Sequence, residues 1–252
     1  TSGQFVTEEE AEAPALEKNY VAPSGIHWHN IFERKPVLML ITALLVILIG
    51  GIVEFIPTFL VKSNIPTISS VKPYTPLELH GRDIYIREGC YNCHSQMIRP
   101  FRAEVKRYGE YSKAGEFIYD HPFQFGSKRT GPDLARIGGK YPNSWHFNHM
   151  LDPQSMTPGS IMPAYSAMFE DDLDTTGTIS KIYAMRKLGV PYPEGYESKA
   201  NTDLRAQALS IKNKLQDESK IQVSDKKEII ALIAYLQRLG TDIKADAKNN
   251  NQ

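Results

Sequence analysis

A long apolar segment near the start of the chain dominates the hydrophobic pattern. Residues 37–53 carry no charged side chain, and after Glu54 the apolar character continues to Val61. An α-helix rises 1.5 Å per residue, so roughly 20 residues cross the hydrocarbon core of a bilayer. The pattern therefore predicts a transmembrane anchor over 36–61. A buried helix of a soluble domain is disfavoured by this length, and a cleaved signal peptide by its length and position.

After residue 76 the apolar positions recur at helical spacing, which predicts an all-α domain over 77–240. The first helix leads into Cys90 and is carried by Leu77, Gly81, Ile84 and Tyr85. Further patterns predict helices over 175–189 and around 204–215. A last helix is expected to begin at a Ser224 cap and to end at Gly240. We expect this last helix to pack on the one before Cys90.

Composition adds local features to this outline. Lys and Arg together number 29, and so do Asp and Glu, so nothing indicates a nucleic-acid partner. Residues 1–35 combine an acidic arm with an aromatic and basic segment typical of a membrane interface. Residues 62–76 are rich in proline, serine and threonine and predict an extended stem, and 241–252 form a polar tail.

The candidate chemistry lies at Cys90-Tyr91-Asn92-Cys93-His94, which contains both cysteines of the chain. This C-x-x-C-H pattern is typical of covalent c-type haem attachment. Two thiols at this spacing each add to one vinyl group of a haem, and the histidine that follows points an imidazole at the iron. The sequence therefore predicts one haem c, bound through Cys90 and Cys93 with His94 as the proximal ligand.

Three other uses of a close cysteine pair fit the surrounding sequence less well than haem attachment does. A structural zinc site needs further cysteine or histidine ligands at suitable spacing. A dithiol catalyst is expected within a βαβ pattern, which the surrounding sequence does not show. A disulfide across so short a loop constrains little of the chain.

The sixth iron ligand is expected downstream of His94. Mono-haem electron carriers commonly use methionine, whose thioether favours ferrous iron and raises the reduction potential. Met162 lies in a Pro-Gly-Ser-Ile-Met-Pro loop that is able to lie against a haem face. We therefore predict Met162 as the sixth ligand. Met156 is the second candidate. Met97 is too close to His94 to reach the opposite face.

Three more residues are predicted to surround the haem. In small c-type cytochromes a Gly-Pro segment between the two ligands offers its proline carbonyl to the axial histidine, which makes Pro132 the expected partner of His94. Arg129 and Trp145 are candidate partners of the haem propionates; a surface ion pair and a core aromatic are the competing interpretations. Residues 97–126 exceed what a minimal cytochrome needs and are interpreted as a surface excursion for partner contact.

Several segments beyond the haem motif resemble a known family. They are Gly81–Tyr85, Cys90–Arg102, Tyr119–Phe123, Gly126–Leu134, Leu188–Tyr192 and, in the anchor, Gly51–Glu54. Over about residues 30–240 the chain resembles the mono-haem cytochrome c subunit of cbb3-type cytochrome c oxidases. The resemblance implies a single-span protein with a class I-like cytochrome c domain that carries extended loops.

The same resemblance implies partners and a location. It implies a polytopic catalytic subunit with haem b and a haem–copper centre, and a further c-type cytochrome as electron donor. Members ligate haem through residues that match His94 and Met162, and calcium is reported at the interface with the catalytic subunit, where Ser95 is a candidate contributor. Covalent haem is assembled outside the bacterial cytoplasmic membrane, so residues after Val61 are expected in the periplasm.

Other functions remain open from the sequence. The cytochrome subunit of nitric oxide reductase also has one span and one haem, although the segments after His94 argue against it. A second alternative is a free membrane-anchored carrier, which needs no catalytic partner. A third is a periplasmic thiol oxidoreductase, in which both cysteines remain unmodified. The acidic arm, with no methionine before Met39, also fits a subunit fused behind the catalytic one.

Overall fold

The computed structural model describes residues 34–61, 65–126 and 128–244, which belong to two compact units. The first unit ends at Asn64 and the second begins at Ile65. The acidic arm and nearly all of the interfacial segment predicted for 1–35 lie outside the described residues. So does the polar tail beyond Lys244.

The described part of the first unit is one apolar helix, α1 (Pro36–Leu60). Pro36 occupies the first helical position, where its missing N–H costs no hydrogen bond. Residues 36–58 are long and apolar enough to cross a membrane, and none of the stretch is buried. A core helix of a soluble protein would bury one face, so this helix requires an apolar surrounding of lipid or of other membrane helices.

The described part of the second unit is built from helices, which confirms the all-α class, with one isolated β-bridge between Asp172 and Lys227. Short 3-10 turns cover Cys90–Asn92 and Ala114–Phe117. The helices in chain order are α2 (Pro76–Arg87), α3 (Arg102–Tyr108), α4 (Asn143–Leu151), α5 (Pro153–Met156), α6 (Ala167–Glu170), α7 (Thr178–Lys187), α8 (Glu197–Ser219) and α9 (Glu228–Arg238).

The crossing of α2 and α9 forms the centre of this unit, as predicted for the last helix and the helix before Cys90. A Cβ atom at Gly81 would lie 1.9 Å from the carbonyl oxygen of Ala231, so only glycine permits this approach. Helix α9 is buried along nearly its whole length because α2, α4 and α8 surround it. Helix α2 begins with a capping box between Thr75 and Glu78. This rigid pair positions the chain that enters Cys90.

Two helix boundaries differ from the sequence prediction. Helix α9 begins at Glu228, with Lys227 as its N-cap, so the predicted Ser224 cap is wrong. The Ser224 hydroxyl instead accepts a hydrogen bond from the Lys226 N–H inside a turn, and backbone bonds join this turn to residues 171–173. The helix before the haem motif ends at Arg87, because Gly89 at φ 68° turns the chain before Cys90.

Residues 97–126, predicted from the sequence as a surface excursion, are attached to the rest of the unit by buried ion pairs. Arg82 of α2 lies 3.4 Å from Asp120, and Arg136 lies 2.6 Å from Glu116; all four side chains are nearly inaccessible to solvent. Breaking one buried pair leaves an uncompensated charge, at a cost of about 3–5 kcal/mol. Ile98 in the same segment is also buried. The segment is therefore held against α2 and against the chain around Arg136.

We expect the buried imidazole of His80 to make folding sensitive to acid. His80 is 5% exposed; its Nε2–H donates to Thr178 Oγ1 at 2.8 Å, and its Nδ1 accepts from Lys181 Nζ at 3.2 Å. The bond from Lys181 needs the neutral ring, because a protonated Nδ1 cannot accept it. Burial, aided by the Lys181 charge, lowers the pKa of His80 from 6.5 to about 4.

Between pH 6.5 and 4 the unfolded chain therefore binds more protons than the folded one, so stability is full above pH 6.5 and declines as the pH falls to 4. Over this range, protonation of His80 lowers the free energy of unfolding by about 3 kcal/mol. Urea unfolding of the detergent-solubilised chain, followed by circular dichroism from pH 4 to 7.5, should show this decline. The decline should be weaker in the His80→Gln variant. An identical pH dependence in the two proteins would contradict the assignment of this decline to His80.

Candidate functional site

The two cysteines lie on a tight turn directly after α2. The Cys93 and His94 backbone N–H groups both donate to the Cys90 carbonyl, at 3.2 and 2.9 Å. Cys90 is buried, Cys93 is exposed, and neither forms a disulfide. Burial, reinforced by the Glu88 carboxylate, raises the pKa of the Cys90 thiol to about 12. Because catalytic dithiols require a readily formed thiolate, this environment argues against a thiol oxidoreductase.

The imidazole of His94 is held in one orientation by the Gly131–Pro132 segment. Its Nδ1–H donates to the Pro132 carbonyl at 2.8 Å, which leaves Nε2 as the nitrogen available to a metal. The Gly131 N–H donates to the Cys93 carbonyl at 2.9 Å. A Cβ atom at Gly131 would lie 2.2 Å from His94 Cε1, so the ring packs directly on this glycine. This is the arrangement that the role predicted for Pro132 requires.

Asp133 holds the Gly131–Pro132 segment in place, and the sequence reasoning missed it. One carboxylate oxygen accepts from Ser95 Oγ at 2.7 Å and from Met97 N–H at 3.0 Å, and the other accepts from Ala135 N–H at 2.8 Å. The side chain is fully buried. Asp directly after Gly-Pro was the available signal, since its carboxylate readily bonds to nearby backbone N–H groups.

The structure gives Arg129 and Trp145 definite protein neighbours. Arg129 donates to the Met97 carbonyl at 3.0 Å and to Glu104 at 2.7 Å, and its guanidinium lies 5.3 Å from the Tyr108 ring centre. These bonds tie α3 to the Gly131–Pro132 segment. They agree with the competing interpretation, in which Arg129 forms an ion pair within the protein. Their roles toward haem propionates stay predictions.

Met162 lies on a loop attached to the end of α4. The Tyr165 N–H donates to the Met150 carbonyl at 2.9 Å, and the Met162 N–H donates to Ser160 Oγ at 3.2 Å. Met162 is half-buried and packs against the core cluster that contains Cys90 and Met150. Among the described residues packed on that cluster, Met156 does not occur. This difference agrees with the choice of Met162 over Met156, which stays a prediction.

Two histidines of α4 were also missed. His146 is fully buried, and neither of its ring nitrogens has a hydrogen-bond partner among the described residues. Within the same part of the chain, the buried Nδ1 of His149 has none either. The signal in the sequence was a pair of histidines three positions apart beside Trp145, which places them on neighbouring faces of one helix.

The residues present fit a c-type haem. Two free thiols and an imidazole with Nε2 available lie on one turn, and a half-buried thioether packs on the same core cluster. A family model described as cytochrome c oxidase, mono-heme subunit/FixO, matches residues 29–243. The chain belongs to this family. No match was found among curated proteins. The mono-haem subunit is thus a component of a cytochrome c oxidase, and its apolar helix indicates a membrane protein.

The described residues contain no acidic cluster that would form a calcium site by itself. Ser95 Oγ is buried and donates to Asp133, and the Ser95 carbonyl accepts from Leu134 N–H at 2.8 Å. In residues 34–61, 65–126 and 128–244, no group of three or more His, Cys, Asp or Glu side chains could hold a metal ion. Calcium prefers six to eight oxygen ligands. Calcium contact by Ser95 therefore remains a prediction from the resemblance.

Proposed function

We propose that the mono-haem subunit is the electron-transfer subunit of a cbb3-type oxidase. It binds one haem covalently through Cys90 and Cys93, and His94 and Met162 are the axial ligands. It accepts electrons from a c-type cytochrome and passes them to the low-spin haem b of a polytopic catalytic subunit, where oxygen is reduced to water. The observation that carries the proposal is the 2.8 Å bond from His94 Nδ1 to Pro132, which leaves Nε2 for iron beside both thiols.

The haem, when bound, supplies the one-electron couple, and the side chains determine its environment. The Pro132 carbonyl holds the imidazole of His94 and increases its basicity. The soft thioether of Met162 favours the ferrous state and raises the potential. With His94 and Met162 as its two protein ligands, a bound haem iron would leave oxygen no place to bind on this chain alone. It therefore acts as a carrier, and oxygen reduction belongs to the catalytic subunit.

The location follows from the same chemistry. Covalent haem attachment takes place on the outer face of the bacterial cytoplasmic membrane. The residues after α1 therefore lie in the periplasm, and α1 is the single anchor. The exposed apolar side chains of α1 suit contact with lipid and with the catalytic subunit. Ile161, which precedes Met162, is 81% exposed. An apolar residue at this place suits a brief electron-transfer contact beside the iron ligand.

An affinity-tagged full-length chain, extracted with its partners in mild detergent, tests the proposal. We expect haem stain after denaturing electrophoresis at the mass of this chain, co-purification of a polytopic haem b protein, and oxygen consumption with reduced cytochrome c as donor. Nitric oxide consumption without oxygen consumption would identify a nitric oxide reductase. Extraction as a stained monomer without haem b would indicate a free carrier, and absence of stain would reject covalent haem.

A further inference from the structure

Helix α3 presents a cationic surface to solvent. None of its residues is buried, and Arg102, Lys106 and Arg107 are exposed. Phe101, directly before the helix, is 56% exposed, and the Arg99 guanidinium lies 5.1 Å from the centre of its ring. The exposed residues that we call the α3 surface are Phe101, Arg102, Lys106 and Arg107.

Among the described residues, the three cations of the α3 surface form no ion pair. Residues 97–126 contain four acidic side chains, and each of them pairs with another basic residue. Glu104 pairs with Arg99 and Arg129, Glu110 with Lys113, Glu116 with Arg136, and Asp120 with Arg82. The positive charges of Arg102, Lys106 and Arg107 are therefore left to solvent or to a partner.

Helix stability accounts for only part of this charge. Lys106 and Arg107 lie in the last turn of α3, where the helix dipole favours a cation. Arg102 lies at the first position, where the dipole disfavours a cation, and it lies one turn before Lys106, where like charges repel. The concentration of charge therefore indicates an interaction with a group outside the chain.

A series of short contacts joins α3 to the turn that carries the predicted iron ligand. Glu104 of α3 binds Arg129 at 2.7 Å, and Arg129 lies 3.6 Å from Asp133. Asp133 in turn accepts a hydrogen bond from Ser95 Oγ at 2.7 Å. Ser95 directly follows His94. A partner that docks on α3 is therefore held near His94.

We propose that the α3 surface docks the electron donor of the subunit, and that this donor is a c-type cytochrome with an acidic surface around its haem edge. The inference rests on the proposed function and adds the place and the charge of the donor contact. In the contact the donor is oxidised by one electron and the subunit is reduced by one, and no bond forms or breaks.

The chemistry of the surface favours a donor over the catalytic subunit as its occupant. The core of a permanent interface is mostly apolar and depleted of charge, so three exposed cations fit a transient partner better. Opposite charges steer a transient encounter and raise its rate. Phe101 adds an aromatic side chain, a residue type that is enriched in interfaces.

Charge reversal tests the inference in the full-length chain, purified with its partners in detergent. The variant Arg102→Glu/Lys106→Glu/Arg107→Glu is compared with the unmodified protein for reduction by two soluble c-type cytochromes, one acidic and one basic at the haem edge. At low ionic strength the bimolecular rate with the acidic donor should fall roughly tenfold or more, and the rate with the basic donor should rise. In the unmodified protein, added salt should slow the acidic donor.

A matched control reverses three exposed cations of α8, with the same change in net charge: Lys199→Glu/Arg205→Glu/Lys214→Glu. The control should retain the rate with the acidic donor. Haem stain and reduction by a small uncharged reductant should be unchanged in both variants, because neither variant alters the haem site. A milder variant with glutamine at the three α3 positions should show the same order of rates with a smaller loss.

Equal rates with the acidic donor in the α3 variants and the control would overturn the inference. Equal slowing with both donors would also overturn it, since that result is expected if the surface binds anionic lipid or stabilises the fold. Failure of the proposed function is recognised separately. In that case the unmodified protein itself would lack haem stain or would accept no electron from either cytochrome.

Discussion

Joint replacement of Cys90 and Cys93 by alanine is expected to abolish covalent haem on the mono-haem subunit. Each thiol lies on the turn that ends at His94, so each can form one thioether bond, and no other cysteine exists in the chain. Denaturing electrophoresis followed by haem stain measures the loss. We expect complete disappearance of the stained band, because the remaining interactions with His94 and Met162 do not survive denaturation.

The single variants provide the internal control for this result. Cys93 is exposed, so Cys93→Ala removes one thioether with little effect on packing, and a weaker band should remain. Cys90 is buried in the core cluster, so Cys90→Ala should lower both stain and protein yield. A double variant that keeps its stain in the denaturing gel would contradict attachment at this turn.

Substitution of Gly131 by alanine should disrupt the haem site without changing any group that contacts iron. The new Cβ would lie 2.2 Å from Cε1 and 2.6 Å from Nδ1 of His94, so the ring must move. Movement breaks the bond from Nδ1 to the Pro132 carbonyl and turns Nε2 away from its position. Overpacking costs about 1–3 kcal/mol, and loss of the hydrogen bond adds about 1 kcal/mol.

Haem content per protein and the midpoint potential measure this effect. We expect at least a tenfold fall in correctly ligated haem, and a shifted potential in the fraction that retains haem. Gly177→Ala is the matched control, because Gly177 has an ordinary φ of −83° and no atom within 4 Å of the added Cβ. If Gly131→Ala matched the control in haem content and potential, the packing of His94 on Gly131 would not matter for the site.

Much of the architecture was predictable because local patterns determine it. The uncharged run of 37–53 is long enough to predict α1, and the helical spacing before Cys90 predicts α2. The Ser224 cap failed because Ser, Asp and Lys at 224–227 form a turn that pairs with residues 171–173. The attachment of residues 97–126 by buried ion pairs could not be predicted from the sequence, because the partners Arg82 and Arg136 lie outside the segment.

The sequence by itself determined that two thiols and an imidazole within five residues form one local unit, and it predicted a covalent haem there with Pro132 and Met162 as partners of that unit. Only the tertiary structure decided which other groups approach it. Gly131 lies against the ring of His94, and Asp133 holds the intervening segment. The physical reason is that a residue pattern describes neighbours along one element, whereas burial and contact between elements arise only when the helices pack.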